Sequence, residues 1–387
     1  MAKIIIGLIL VLWTGPAFGA DALRIGATVS QTGHFATEVG PFKKLIAAWE
    51  NSANANGGVV VAGRRLALRT IVYDDRSDEA TARRMYERLA LVDKVHLMIG
   101  PYSSPLTFAS AGVAETHRVP FVAVCANSPK IYNRGHQWIV CIIDEAPRYT
   151  YRYWEMIKAE ARARTAAFVV EDSLHPRAVA DGAATLATQA GLKVVSSHIG
   201  AADNRDFAPI VVALKQQDPD IVLVAANIPF AVQFVAQAKE LGLSPRQFHV
   251  IHHGGVFRRA LGTAAEAITG QSYWTKGMTR GQHRRFEALL AAAAIDVEDY
   301  PWSPAYMMAF EAIEAALAAA KTGLPEDVMA SLKALDADTI GGTVRFAPNG
   351  VGTINTFPSQ IQNGRYQIVW PPEVATGRHV YHGASGN

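Results

Sequence analysis

The sequence predicts an α/β protein of two doubly wound parallel-sheet lobes with a ligand cleft between them. Three observations carry this. From Leu23 onward short β-branched runs alternate with amphipathic stretches, the rhythm of βαβ units. That rhythm pauses at Asp144 and restarts. The chain has 387 residues, 50% of them hydrophobic and 18% charged, which suits two ordinary folded domains. In open α/β sheets ligands bind beyond the carboxyl ends of the strands, so two such sheets imply a site between them.

In chain order, strands are expected at Leu23–Val29, Leu66–Asp74, His96–Gly100, Pro120–Val124 and Trp138–Ile143. Helices are expected between them at Gly40–Asn54 and Asp78–Asp93, the latter capped by Ser77 or Asp78, and from Ser103 or Ser104 toward His117. After a helix at Pro147–Ala161 the second set of strands is Thr165–Glu171, Leu192–His198, Asp220–Ala226 and Phe248–His253. Helices at Pro176–Ala190, Phe207–Gln217 and Phe230–Leu241 connect them. Beyond Tyr273 come helices at Arg280–Ala294 and Ser303–Lys321, then glycine-punctuated strands from Gly341 to Trp370 with turns at Asn349-Gly350 and Asn363-Gly364. The tail after Pro371 is expected to be loose.

The first 20 residues combine a lone Lys3, an apolar stretch from Ile4 to Trp13 too short to span a bilayer, a Gly15-Pro16 break and small residues at Ala17 and Gly19. They read as a cleaved secretory signal. An exported compartment permits a disulfide between Cys125 and Cys141, but nothing in the sequence brings them within bridging distance, and two separate thiols are expected. The formal net charge of +3 with interspersed signs argues against nucleic acid as a partner. Dinucleotide and phosphate loops, a nucleophile elbow and a zinc-protease motif are all missing, so no enzyme, metal site or cofactor is expected. Asp74-Asp75 reads as a solvated turn.

The segment "GPYSSP" (Gly100–Pro105) joins a strand end to a helix start, where free N–H groups and a hydroxyl from Ser103 or Ser104 favour an anion. The next strand ends in "CANSP" (Cys125–Pro129), so Ser104 and Asn127 can meet at one sheet edge, with "SQTGHF" (Ser30–Phe35) close by. In the second lobe Asn227, at the end of a strand, is a candidate that also suits a helix cap. Of the consecutive His252 and His253, expected on opposite faces of a strand, one is expected in the cleft, and His253 is assigned there. Trp274 is expected to pack beneath the crossover.

The segments "RIGATVSQTG", "NANGGVVVAGRRLALRTIVYDDRSD", "IGPYSS", "VPFVAVCANSP" and "GGTVRFAPNG" resemble the type I periplasmic solute-binding proteins of the leucine/isoleucine/valine branch, over nearly the whole mature chain. The resemblance implies lobes joined by a multi-strand hinge, composed of residues 21–144 with 275–342 and of 145–274 with 343–372. It implies a periplasmic, monomeric receptor that takes a small-molecule solute to the membrane permease of an ABC importer, or alternatively a sensor subunit for a membrane kinase. Ser104 and Asn127 would hold the ligand's polar groups, with Cys125 offering backbone and Phe35 a wall, and His175 standing where relatives close with a tyrosine. Gly254 aligns with the acid that meets an ammonium in amino-acid-binding members. On that ground a small carboxylate without an α-ammonium is the expected ligand, with amides or urea-like solutes next.

Overall fold

The computed structural model describes residues 22–382, and the expected signal at 1–20 lies outside the described residues. The strands are β1 (Ala22–Val29), β2 (Val59–Val61), β3 (Arg64–Asp74), β4 (Leu97–Ile99), β5 (Phe121–Ala123), β6 (Ile139–Ile143), β7 (Thr165–Glu171), β8 (Lys193–Gly200), β9 (Ile221–Ala225), β10 (Gln247–Val250), β11 (Thr269–Ser272), β12 (Asp336–Thr339), β13 (Gly342–Arg345), β14 (Val351–Ile354), β15 (Phe357–Gln362) and β16 (Arg365–Ile368). They form two seven-stranded sheets, ordered β14-β6-β5-β4-β1-β3-β2 and β16-β15-β11-β10-β9-β7-β8, and a β12-β13 ribbon. Both are parallel through their centres, where fully buried strands such as β4, β5, β6 and β9 are apolar on both faces because helices cover both sides. The sequence-derived fold class is the observed one.

The helix Glu79–Leu91 begins at Asp78, whose carboxylate accepts the Thr81 N–H, so Asp78 rather than Ser77 is the cap. The chain passes to the second sheet after β6, returns after β11 and crosses again between β14 and β15. At these crossings Asn355 donates to Asp144 and to the Arg148 carbonyl, and Thr356 bonds the Tyr149 carbonyl and Gln271. Neighbouring connections are therefore tied side to side.

Three expectations need correction. Val351–Ile354, expected with the second lobe, pairs with β6 in the first sheet. Side chains at Gly350 and Gly352 would collide with β6 carbonyls, at 2.6 Å from Ile139 O and 2.4 Å from Ile142 O, and their absence lets the backbones close up. The tail is anchored as far as His382. Gln360 pairs with both the N–H and the carbonyl of Val380, and His379 and Tyr381 bond Glu160. Finally, the strand expected to reach His253 stops at Val250.

Gly182, in the helix Leu174–Gln189, faces the turn after β6, and a Cβ there would lie 2.0 Å from the Pro147 carbonyl oxygen. Backbone cannot yield as a side chain can. Gly182→Ala is expected to lower the free energy of unfolding by about 1–3 kcal/mol, read as a lower urea midpoint at unchanged slope. An unchanged midpoint would show that the turn moves freely.

Candidate functional site

The carboxyl edges of the two sheets face each other across a cavity of about 440 Å³. Its first-lobe wall includes Phe35, Ser103, Ser104, Cys125 and Asn127, and its second-lobe wall includes His175 and Asn227. Seven of the eight sequence candidates thus meet at one place.

Each arrives there by local chemistry. β4 gives way to Gly100, where a Cβ would stand 2.7 Å from the Phe121 ring, so only glycine lets the chain turn this close to β5. Ser103 caps the helix Ser104–His117 by accepting the Leu106 N–H, from backbone at φ +84° that few L-residues adopt. The Ser104 hydroxyl accepts the Ser128 N–H at 3.3 Å, which leaves its own proton to donate. The Asn127 amide donates to the Asp144 carbonyl at 2.7 Å, which turns its oxygen toward His175 Nδ1 at 2.9 Å. That bond spans the cleft. It also fixes the imidazole tautomer: Nδ1 carries the proton and Nε2, buried and unpartnered, is an acceptor.

Cys125 and Cys141 are both free, and burial pushes the Cys141 thiol up to about 12. Asp75, expected in a solvated turn, is fully buried: it accepts the hydroxyls of Thr28 and Ser30 and the Ser77 N–H, and so ties the end of β1 to the loop after β3. Asp74 beside it accepts Thr32 and three backbone N–H groups.

His253 does not reach the cavity. The chain has left the strand at Val250, so His252 lines the cavity while His253 turns inward, with Nε2 3.1 Å from the Ser359 hydroxyl. Gly254 does not face the cavity either, because a Cβ there would meet the Pro301 ring at 2.9 Å. The acid missing at that position therefore says nothing about the ligand. Trp274 packs edge-on against Phe286, away from the main cavity, as expected.

Two buried carboxylates in the wall, Glu38 and Glu171, escaped the sequence reading. Glu38 lies on a one-turn helix, Ala36–Val39, too short for its period to be legible. It accepts the Tyr102 hydroxyl at 2.6 Å, and its other oxygen makes no hydrogen bond among the described residues, with the Ile228 N–H near the carboxylate. Burial pushes it up to about 7, with the Glu171 charge adding to the rise and the Tyr102 hydroxyl opposing it. Glu171 ends β7, the kind of position at which a carboxylate could have been flagged. It accepts the backbone and side-chain amides of Asn227, and burial raises it too. Asn227 caps its helix without a side-chain bond to it and serves Glu171 instead.

Aromatic rings complete the enclosure. Tyr102 sits edge-on to Phe35 at 5.2 Å and to Trp302 at 5.3 Å, and Trp302 edge-on to His252 at 5.1 Å. His252 stacks parallel to His175 at 5.2 Å. Burial holds both imidazoles neutral: His175 falls to about 4, and His252 drops well below its usual range, helped by His175 and His253. An apolar-walled chamber with a few converging polar atoms is built to enclose a small organic molecule.

A family model described as periplasmic binding protein matches residues 22–365. The Leu/Ile/Val-binding protein homolog 7 of Brucella abortus is 27% identical over 223 residues, 56% of this chain and 54% of that protein, so the match spans about half the length of this relative. The substrate-binding protein LivJ from Streptococcus pneumoniae, solved with isoleucine, superposes with a TM-score of 0.78 at 17% identity, covering 93% of this chain and 99% of that one. An ABC transporter solute-binding protein from R. palustris, solved with benzoate, superposes at 0.75 with 16% identity over 93% and 97%. At these identities the superpositions establish the fold. With the family model matched over most of the chain, and with relatives that bind solutes and are not enzymes, this chain belongs to the periplasmic binding protein family.

Proposed function

We propose that the protein is an exported receptor that closes two lobes over a small organic solute, amino acid-like or carboxylate, and presents it to the membrane permease of an ABC importer. The observation that carries this reading is the cavity of about 440 Å³ with walls from both lobes, bridged by the Asn127–His175 hydrogen bond. A ligand contacting both walls favours the closed arrangement by its extra contacts there. Structural relatives solved with isoleucine and with benzoate support a solute of this size.

The test is a thermal-shift panel on the mature protein: aliphatic amino acids, benzoate and 4-hydroxybenzoate, amides and urea. A solute at a hundred times its Kd adds about 2.7 kcal/mol of stability, a readily measured shift. No shift across the panel would defeat the reading.

Ser104 is assigned to hold a polar end of the solute with its free hydroxyl proton. Ser104→Ala is expected to weaken binding by about 1–3 kcal/mol in calorimetry with whichever solute the panel identifies. Unchanged affinity would remove Ser104 from the site.

A further inference from the structure

The cavity is rich in acceptors and poor in positive charge. One oxygen of Glu38, a residue 1% exposed, lies buried in the cavity wall without a hydrogen bond among the described residues. The unprotonated Nε2 of His175 is a second buried acceptor without a partner among the described residues. Glu171 stands in the wall as well, from the opposite lobe, close enough to Glu38 for the two charges to interact. Besides the phenols of Tyr102, Tyr149 and Tyr273 and the Cys125 thiol, the remaining ionisable groups along the cavity are His34, Glu79, Asp203, Arg205 and the two neutral imidazoles, so among the described residues carboxylates outnumber the one guanidinium. Two buried carboxylates that share one cavity repel unless one holds a proton or a cation lies near both. A buried acceptor without a donor is costly in the same way. Both penalties vanish if the solute supplies N–H groups on a positive centre, and two aromatic rings of the cavity wall, Tyr102 bonded to Glu38 and Trp302 packed against Tyr102, suit such a centre.

We infer that the cleft selects a solute bearing a protonated nitrogen, held between Glu38 of the first lobe and Glu171 of the second. This rests on the reading of the cleft as a solute site. It replaces the expectation, drawn from Gly254, of a carboxylate lacking an ammonium. The two acids stand on different lobes, so a cation between them draws the lobes together.

Proton linkage follows. The groups meeting Glu38 are the Tyr102 hydroxyl, the Ile228 N–H and Glu171, and none supplies a positive charge. With Glu38 raised to about 7, it is largely protonated below that pH and must release its proton to receive a cation. Cation binding therefore tightens as pH rises from 6 to 8 and then levels.

The experiment uses three probes of one shape by isothermal calorimetry: leucine, 3-methylbutylamine (leucine without its carboxylate) and 4-methylpentanoate (leucine without its ammonium). Benzamidine and benzoate form a second, flat pair. The wild-type chain is expected to bind the nitrogen-bearing member of each set at least tenfold more tightly than the carboxylate alone. Glu38→Gln and Glu171→Gln, which keep shape and remove charge, should each weaken the ammonium probes tenfold or more, and Glu38→Gln should flatten the pH dependence between 6 and 8. If one variant fails to fold, the other carries the test. Preference for 4-methylpentanoate or benzoate, affinity that rises as pH falls, or unchanged affinity in the variants would overturn the inference. The same holds if none of the five probes binds. A carboxylate, amide or urea that binds with these variants indifferent to it would overturn the inference and leave the solute-receptor reading standing.

Discussion

Replacing Trp49 by Ala is expected to remove about 3–5 kcal/mol of stability, the range for deleting a fully buried large aromatic. Trp49 is completely buried on the helix Phe42–Ala55 and stacks on Phe310 of the helix Ser303–Ala319, ring centroids 4.3 Å apart and planes 6° from parallel. Its indole N–H donates to Glu314 at 2.7 Å, and Glu314 in turn takes two bonds from Arg285. Removal of the ring leaves a void between two helices that can collapse only by shifting a whole helix, and it takes one donor from a half-buried carboxylate. Trp49→Phe keeps the stack and gives up the hydrogen bond, so its expected loss is nearer about 1 kcal/mol. Urea unfolding of both variants checks the ordering. Equal losses would mean that the Glu314 bond, not the ring volume, dominates.

The second large effect is on acid stability. His253 is 1% exposed, its Nε2 lies against Ser359, and burial holds its pKa down to about 3 from 6.5. The native state keeps the ring neutral, whereas the unfolded chain takes up a proton below 6.5. Unfolding therefore binds a proton in that window. The contribution is intact above pH 6.5 and is lost as pH falls toward 3, at about 1.4 kcal/mol per pH unit. Glu38 and Glu311, both raised by burial to about 7, act in the opposite sense: the native state holds their protons between pH 4.5 and 7, which favours the fold as pH falls. The wild-type profile is the sum, so the clean measurement is a difference. His253→Gln, compared with wild type in urea from pH 7.5 to 4.5, is expected to lose less stability on acidification by about 2–3 kcal/mol at the low end. Parallel profiles would show that His253 does not stay neutral in the native state.

The architecture was legible because its signals are local. Alternating strand and helix periods, the strand ends just before Gly100, before Cys125 and at Glu171, and the Asn363-Gly364 turn each depend on a few neighbouring residues. Parallel sheets collect strand ends on one edge, so the sequence alone groups Ser104, Asn127 and Cys125. Other features had no local signature. Whether His252 or His253 faced the cleft turned on one residue of strand length, since β10 ends at Val250 and the alternation lapses there. Gly254 misled because alignment gives a position but not a direction, and its Cβ vector points at Pro301.

By itself the sequence determined the two parallel-sheet lobes, the edge that carries the site and the separate thiols, all consequences of chain-local periodicity and strand-end chemistry. Only the tertiary structure decided which charges face one another. Glu38 and Glu171 are 133 positions apart in the chain, and their place in the wall of one cavity depends on how three crossing connections set one lobe against the other. Burial, which raises both carboxyls and silences both imidazoles, is a property of that arrangement and of no segment alone.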